Sequence, residues 1–150
     1  MKLKTFTSND VKNKKILVRV DFNVPFKNGV VMDDARIRAH ASTVDKLLSA
    51  GARVALISHF GRPKGKAVPE MSLIQIVENV EKAYGRKVRF IDDCVGAKVE
   101  DAMEKLPQGE LLLLENVRFY AAEQENDAGF AARLGKPFDI FVMDAFSAAH

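Results

Sequence analysis

One cysteine, no tryptophan and five prolines in 150 residues close off several specialised scaffolds at once. A lone Cys94 cannot form an intrachain disulfide, which excludes the cystine frameworks of small secreted domains. No apolar run approaches the ~18 residues of a membrane span. The lysines of the opening MKLKTFTSNDVKNKK are not followed by the apolar stretch of a secretory signal, so a cytoplasmic location with no membrane partner is expected. Charge of one sign is also scarce. The 23 Lys+Arg against 20 Asp+Glu leave a formal +3, too weak a field for a nucleic-acid-binding stripe. Repeats, linkers and low-complexity segments are missing. What remains is 47% hydrophobic and 29% charged, the composition of an ordinary globular domain. A chain of this size buries roughly 70% of its unfolded surface, so it needs neither disulfide nor structural metal to hold a core.

The hydrophobic period alternates along the chain. Lys15 to Val20 reads as a strand, and Asp21, Asn23 and Pro25 after it as loop. Ile37, Ala41, Val44 and Leu48 predict one helix, capped by Asp33 or Asp34 and stopped at Gly51. Arg53 to Ser58 is a second apolar strand, and His59 to Lys66 a basic loop broken by glycine and proline. Ser72 caps a predicted helix through Leu73, Ile76, Val77, Val80 and Tyr84, ended by Gly85, before a strand at Lys87 to Ile91. Val95, Val99, Met103 and Leu106 form another stripe, followed by a strand at Glu110 to Leu114. A polar stretch, a short helix over Phe130, Ala131 and Leu134 ending at Gly135, and a strand at Phe138 to Met143 complete the pattern. Apolar strands alternating with amphipathic helices predict the α/β class: a doubly wound, mostly parallel sheet covered by helices on both faces, in one Rossmann-like three-layer α/β/α domain.

Such sheets bind ligands beyond the carboxyl ends of their strands. That rule selects Asp21 and Asn23, His59 and Arg62, Asp92 and Asp93, Glu115 through Arg118, and Asp144 through His150. Arg36, in the opening turn of the first helix, and Arg19, near the end of the first strand, join them. Arginine or histidine from several segments at one sheet edge suits a small phosphate or carboxylate held by several forks. Asp21 and Asn23 suit turn chemistry equally well, Asp92 and Asp93 read as a helix N-terminal pair, Cys94 as packing, and His40 as an exposed helix residue. The chain has no GxGxxG, HExxH, CxxC or GxSxG. GRPKGKA at Gly61 to Ala67 fails as a P-loop, because three residues rather than four separate its glycines and Ala67 follows Lys66. His40, His59 and His150 lack partners at metal spacing, so no metal site is expected.

Five segments carry a more specific signal: VRVDFNVP at Val18 to Pro25, DDARIRA at Asp33 to Ala39, SHFGRP at Ser58 to Pro63, LLLENVRF at Leu112 to Phe119, and DAFSAAH at Asp144 to His150. Together, and in this order, they closely resemble phosphoglycerate kinases. The resemblance implies two α/β domains joined by a hinge, with residues 1–150 as the N-terminal, phosphoglycerate-binding one and the nucleotide-binding C-terminal domain absent from the chain. It implies reversible phosphoryl transfer from 1,3-bisphosphoglycerate to ADP, giving ATP and 3-phosphoglycerate. Mg2+ with ADP or ATP would then sit on the absent domain, none on this chain, and the chain alone would be an inactive monomer. Carried over residue by residue, His59, Arg62, Arg118 and His150 would hold the non-reacting phosphate, and Arg36 would face the reacting carboxyl as the catalytic group. Asp21 and Asn23 would meet the hydroxyl and carboxylate oxygens. Phe22, Phe60 and Gly61 belong to the same substrate segments, and Arg19 would add to the basic field. Two departures stand out: Phe60 where leucine is more usual, and Met143 where asparagine commonly precedes the aspartate. The family continues past His150 with one further arginine of the patch. The alternative reading is a non-catalytic anion-binding α/β module.

Overall fold

The computed structural model describes residues 11–61, 65, 67, 69–120 and 128–144. Five strands, β1 (Lys15–Arg19), β4 (Arg53–Ile57), β5 (Val88–Ile91), β6 (Leu111–Leu114) and β7 (Ile140–Met143), pair entirely in parallel in the order β5-β6-β4-β1-β7. The chain steps outward from β1 to β4 and β5, then returns through β6 to β7. Because parallel crossovers are right-handed, this reversal sends the early helices to one face and the late ones to the other. The two apolar clusters record that division. Ile16, Val18, Val54 and Leu56 pack with Ile37 of α1 (Ala35–Ala39), Val44 and Leu47 of α2 (Ala41–Ser49) and Val80 of α3 (Val77–Tyr84). Leu17, Ala55 and Ile57, one residue out of phase, pack with Val99 and Met103 of α4 (Ala97–Lys105) and Phe130 of α5 (Ala128–Gly135). The three-layer α/β/α class expected from the sequence is the fold. Among the described residues no helix is long and apolar enough to cross a membrane.

Three local expectations need correction. The helix predicted from Asp33 to Gly51 is two helices broken at His40, whose amide turns back to the Ile37 carbonyl at 3.4 Å. Its capping is indirect: Asp34 occupies the cap position but its carboxylate accepts from Arg38 Nε rather than from a backbone amide, while Asp33 Oδ1 accepts from the Ala35 amide at 2.9 Å. The segment after Asn23 is not all loop, since β2 (Phe26–Lys27) and β3 (Val30–Val31) form an antiparallel hairpin. Asn28 and Gly29, at φ 52° and 78°, make the left-handed two-residue turn that such hairpins require. Ser72 caps as predicted, its Oγ accepting from Ile74 N, but the first turn over Leu73–Ile76 is a 3-10 helix.

Both tyrosines are tied into this framework. The Tyr84 hydroxyl donates to the Ile37 carbonyl at 2.8 Å, and burial pushes its pKa well above the ordinary phenol value. The Tyr120 hydroxyl donates to Asp93 Oδ1 at 2.6 Å; burial, then the adjacent carboxylate, raise it as well. A raised folded-state pKa means that the stabilisation is complete below the unfolded value near ~10 and disappears as pH rises through the folded one. With no tryptophan to interfere, absorbance at 295 nm follows both groups. Both are expected to ionise together, only as far-UV dichroism is lost. A tyrosine ionising near pH ~10 in the folded chain would contradict these environments.

Candidate anion-binding site

The carboxyl end of β1 turns sharply because its polar groups are satisfied locally. Val20 N donates to the Ile57 carbonyl at 3.0 Å, holding β1 against β4 beyond the last paired residue. Asp21 Oδ1 then accepts from the Asn23 amide at 3.2 Å, the turn chemistry a short acidic side chain supplies. This turn aims Asn23 in two directions. Its Oδ1 accepts from Gly61 N at 2.9 Å, and its carbonyl accepts from Arg36 Nη1 at 2.8 Å. The same Nη1 lies 3.6 Å from Asp21 Oδ2. Asp21, Asn23, Arg36 and Gly61, distant in sequence, are therefore one connected group. A cleft of about 400 Å³ lies against it, lined by Asn23, Val24, Pro25, Asp33, Ala35 and Arg36.

The β4 segment is held from both sides. Ser58 Oγ accepts from Phe22 N at 2.9 Å, and the Ser58 carbonyl accepts from Val117 N at 3.1 Å. Fully buried Asn116 works as a clamp: Nδ2 donates to the Phe60 carbonyl at 2.7 Å and the Met71 carbonyl at 2.9 Å, and Oδ1 accepts from Arg118 N at 3.0 Å. Gly61 has φ 65°, a conformation that favours glycine, and a Cβ there would come within 3.1 Å of the Met71 side chain, which would have to give way. Glu115 fixes the neighbouring turn, its Oε1 accepting from Leu73 N and Asn116 N and its Oε2 from the Ser72 hydroxyl. The Gly65 amide reaches the Arg118 carbonyl at 3.2 Å, tying Gly65 to the turn after β6.

The strand-end rule thus brings most of its candidates to one rim, with several qualifications. His59 follows β4 and Arg118 lies in the 3-10 turn Val117–Phe119 after β6, and each keeps a ring or guanidinium nitrogen buried there. Arg19 Nε is buried too, but Arg19 is the last residue of β1 and shares its side of the sheet with Leu17. Phe22 and Phe60 send their side chains into the core, so only their backbone reaches the rim. Arg62 and His150 lie outside the described residues. Asp92 and Asp93 do not join the group. Asp93 caps the Cys94 and Val95 amides, and Lys98 beside Asp92 holds that carboxyl below the usual range. Cys94 is packed in the core as expected.

His40, expected on the surface, is 6% exposed. Its ring accepts the Asp21 amide and meets the Asp144 carboxylate, so both nitrogens are satisfied inside the protein. The readable signal was its place on the apolar stripe at i+3 from Ile37 and i−4 from Val44. Among the described residues no group of three or more His, Cys, Asp or Glu could hold a metal ion.

Comparison with known proteins bears on this rim. The family model described as Phosphoglycerate kinase matches residues 6–150. A phosphoglycerate kinase of Bartonella bacilliformis is 45% identical over all of this chain, which covers 38% of that protein. One from a Ruegeria species is 50% identical over 98% of the chain and 37% of its own length. Among solved structures, phosphoglycerate kinase from Coxiella burnetii superposes with a TM-score of 0.80 at 38% identity, over 93% of this chain and 34% of its own. The enzyme from Pyrococcus horikoshii gives 0.81 at 30% identity, over 97% and 38%. The chain therefore spans little more than a third of the length of these relatives.

Proposed function

The chain belongs to the phosphoglycerate kinase family, and on that premise we propose that its rim binds 3-phosphoglycerate and 1,3-bisphosphoglycerate for reversible phosphoryl transfer with ADP and ATP in a longer protein. The observation that carries this reading is the linkage of Asp21, Asn23, Arg36 and Gly61 into one group beside His59 and Arg118. His59 and Arg118, with Arg62 and His150, take the non-reacting phosphate. Asp21 and Asn23 take the hydroxyl and carboxylate oxygens, and Arg36 the reacting carboxyl. Arg19 adds to the basic field.

The chemistry asks for charge control more than for a base. In the ATP-forming direction the bond from the acyl oxygen to phosphorus breaks, a terminal oxygen of ADP bonds to that phosphorus, and a carboxylate departs. No proton need move. A permanently charged, planar guanidinium at Arg36 neutralises the departing carboxylate through two donors. A unit-charge pair at ~4 Å is worth roughly 4 kcal/mol gross at an effective dielectric near 20, and much less in open water. Closure of a second domain over the rim would supply that exclusion of water. Mg2+ with ADP or ATP is assigned to that domain, where the metal would screen the phosphate charges. On this reading the chain supplies the substrate-binding half of a cytoplasmic, monomeric enzyme, and turnover requires the second domain.

Calorimetry with 3-phosphoglycerate on the chain, paired with a coupled assay for ATP formation, tests this. Saturable one-to-one binding without turnover is expected. Absence of binding at millimolar ligand, or turnover by the chain itself, would overturn it.

A further inference from the structure

We propose that His40 is a positioning residue for the Asp21–Asn23 substrate loop, acting as a neutral imidazole with its proton on Nδ1 and tying that loop to Asp144 at the end of β7. This inference rests on the proposed binding role of the rim and adds a residue to it.

The tautomer follows from the partners. Asp21 N can only donate, and it points at His40 Nε2 at 2.9 Å, so Nε2 presents a lone pair. The proton therefore sits on Nδ1, which donates to Asp144 Oδ2 at 2.7 Å. Thr43 Oγ1 donates to the other carboxylate oxygen at 3.3 Å, completing a chain from α2 to β7. A doubly protonated ring would set two donors face to face at Asp21. The imidazole is wedged edge-on against the Phe22 ring, with centroids 6.0 Å apart, and Phe22 packs likewise on Tyr84 at 6.4 Å. Its orientation is fixed by packing as well as by hydrogen bonds.

The consequence reaches the site through the backbone. Asp21 N is the first amide of the turn whose later members place the Asn23 carbonyl on Arg36 and Asn23 Oδ1 on Gly61. Strands β1 and β7 are neighbours, and Asp144 N already bonds the Arg19 carbonyl at 2.9 Å. The side-chain bridge through His40 adds a second tie between the same two strand ends, this time to the loop itself. Holding a substrate segment through a second residue is a recognised way to keep polar groups aligned within fractions of an ångström.

Nitrogen-15 NMR of the histidine-labelled chain reads the tautomer directly. A protonated Nδ1 and an unprotonated Nε2 are expected for His40; protonation on Nε2 would overturn the proposal without reference to any ligand. Hydrogen exchange at the Asp21 amide and the affinity for 3-phosphoglycerate are then compared in His40→Leu and His40→Gln. Leucine fills the space without accepting, so exchange at Asp21 should accelerate and the affinity fall about tenfold. Glutamine can accept with Oε1 and donate with Nε2, and should recover most of both effects. Equal protection and affinity in wild type and His40→Leu would also overturn it. If the wild-type chain does not bind 3-phosphoglycerate, the binding role of the rim fails, while tautomer and exchange still decide the part played by His40.

Discussion

Asn116→Ala is expected to lower the stability of the chain by about 3 kcal/mol or more, a large effect for one polar side chain. Three hydrogen bonds disappear together: those from Nδ2 to the Phe60 and Met71 carbonyls, and that from Arg118 N to Oδ1. Asn116 is completely buried and its bond to the Phe60 carbonyl is buried with it, while the other two are part-buried, so water replaces these partners only in part. Each polar group left buried and unpaired costs about 1–3 kcal/mol, and three in one place are not strictly additive. Asn116→Asp should do no better, because a carboxylate cannot donate to two carbonyls and its charge is buried as well. Urea unfolding measures this as a lower midpoint at an unchanged slope. A loss under about 1 kcal/mol would show that the clamp is not structural. The same variant should weaken anion binding, since it frees the Phe60 and Gly61 backbone that Asn23 and Asn116 hold from opposite sides.

Arg36→Ala should have the opposite profile, with little change in folding and a large change in binding. The side chain is 54% exposed and its ion pair with Asp21 is at 3.6 Å, so the fold loses under about 1 kcal/mol. A charge-assisted bond to the ligand carboxyl is worth about 1.5–3 kcal/mol, which corresponds to a fall in 3-phosphoglycerate affinity of roughly 10- to 100-fold. Arg36→Lys keeps the charge but not the planar fork, and should recover only part of the loss. Calorimetry separates the three proteins. If Arg36→Ala binds within about twofold of wild type, Arg36 does not touch the reacting carboxyl.

How much of this was legible beforehand depended on the kind of signal. Strands such as Leu111–Leu114, apolar on both faces, and helices such as Val77–Tyr84, with one apolar stripe, differ in period, so the α/β alternation could be read directly. Position after a strand was enough to gather Asp21, Asn23, His59 and Arg118 at one rim, because a parallel sheet places all its carboxyl ends together. The hairpin turn at Asn28–Gly29 was not picked out, because two-residue strands leave no periodicity on either side of it. The bridge from Asp21 through His40 to Asp144 has no such trace. Its two arms, Asp21 to His40 and His40 to Asp144, span 19 and 104 residues through a ring whose two nitrogens need opposite partners, and only the fold decides which atoms meet. Asn116 is similar, since its donors serve the carbonyls of two other segments and its sequence context suggests no more than a turn.

The central claim is that groups from the ends of β1, β4 and β6 meet on one small phosphorylated acid, and an amide NMR titration of the chain with 3-phosphoglycerate addresses it most directly. Saturable shifts concentrated at Asp21–Asn23, Arg36, His59–Gly61 and Arg118 are the expected result. Shifts at the opposite rim, around the cavity of Lys15, Glu104 and Lys136, or no saturable shifts at all, would contradict it.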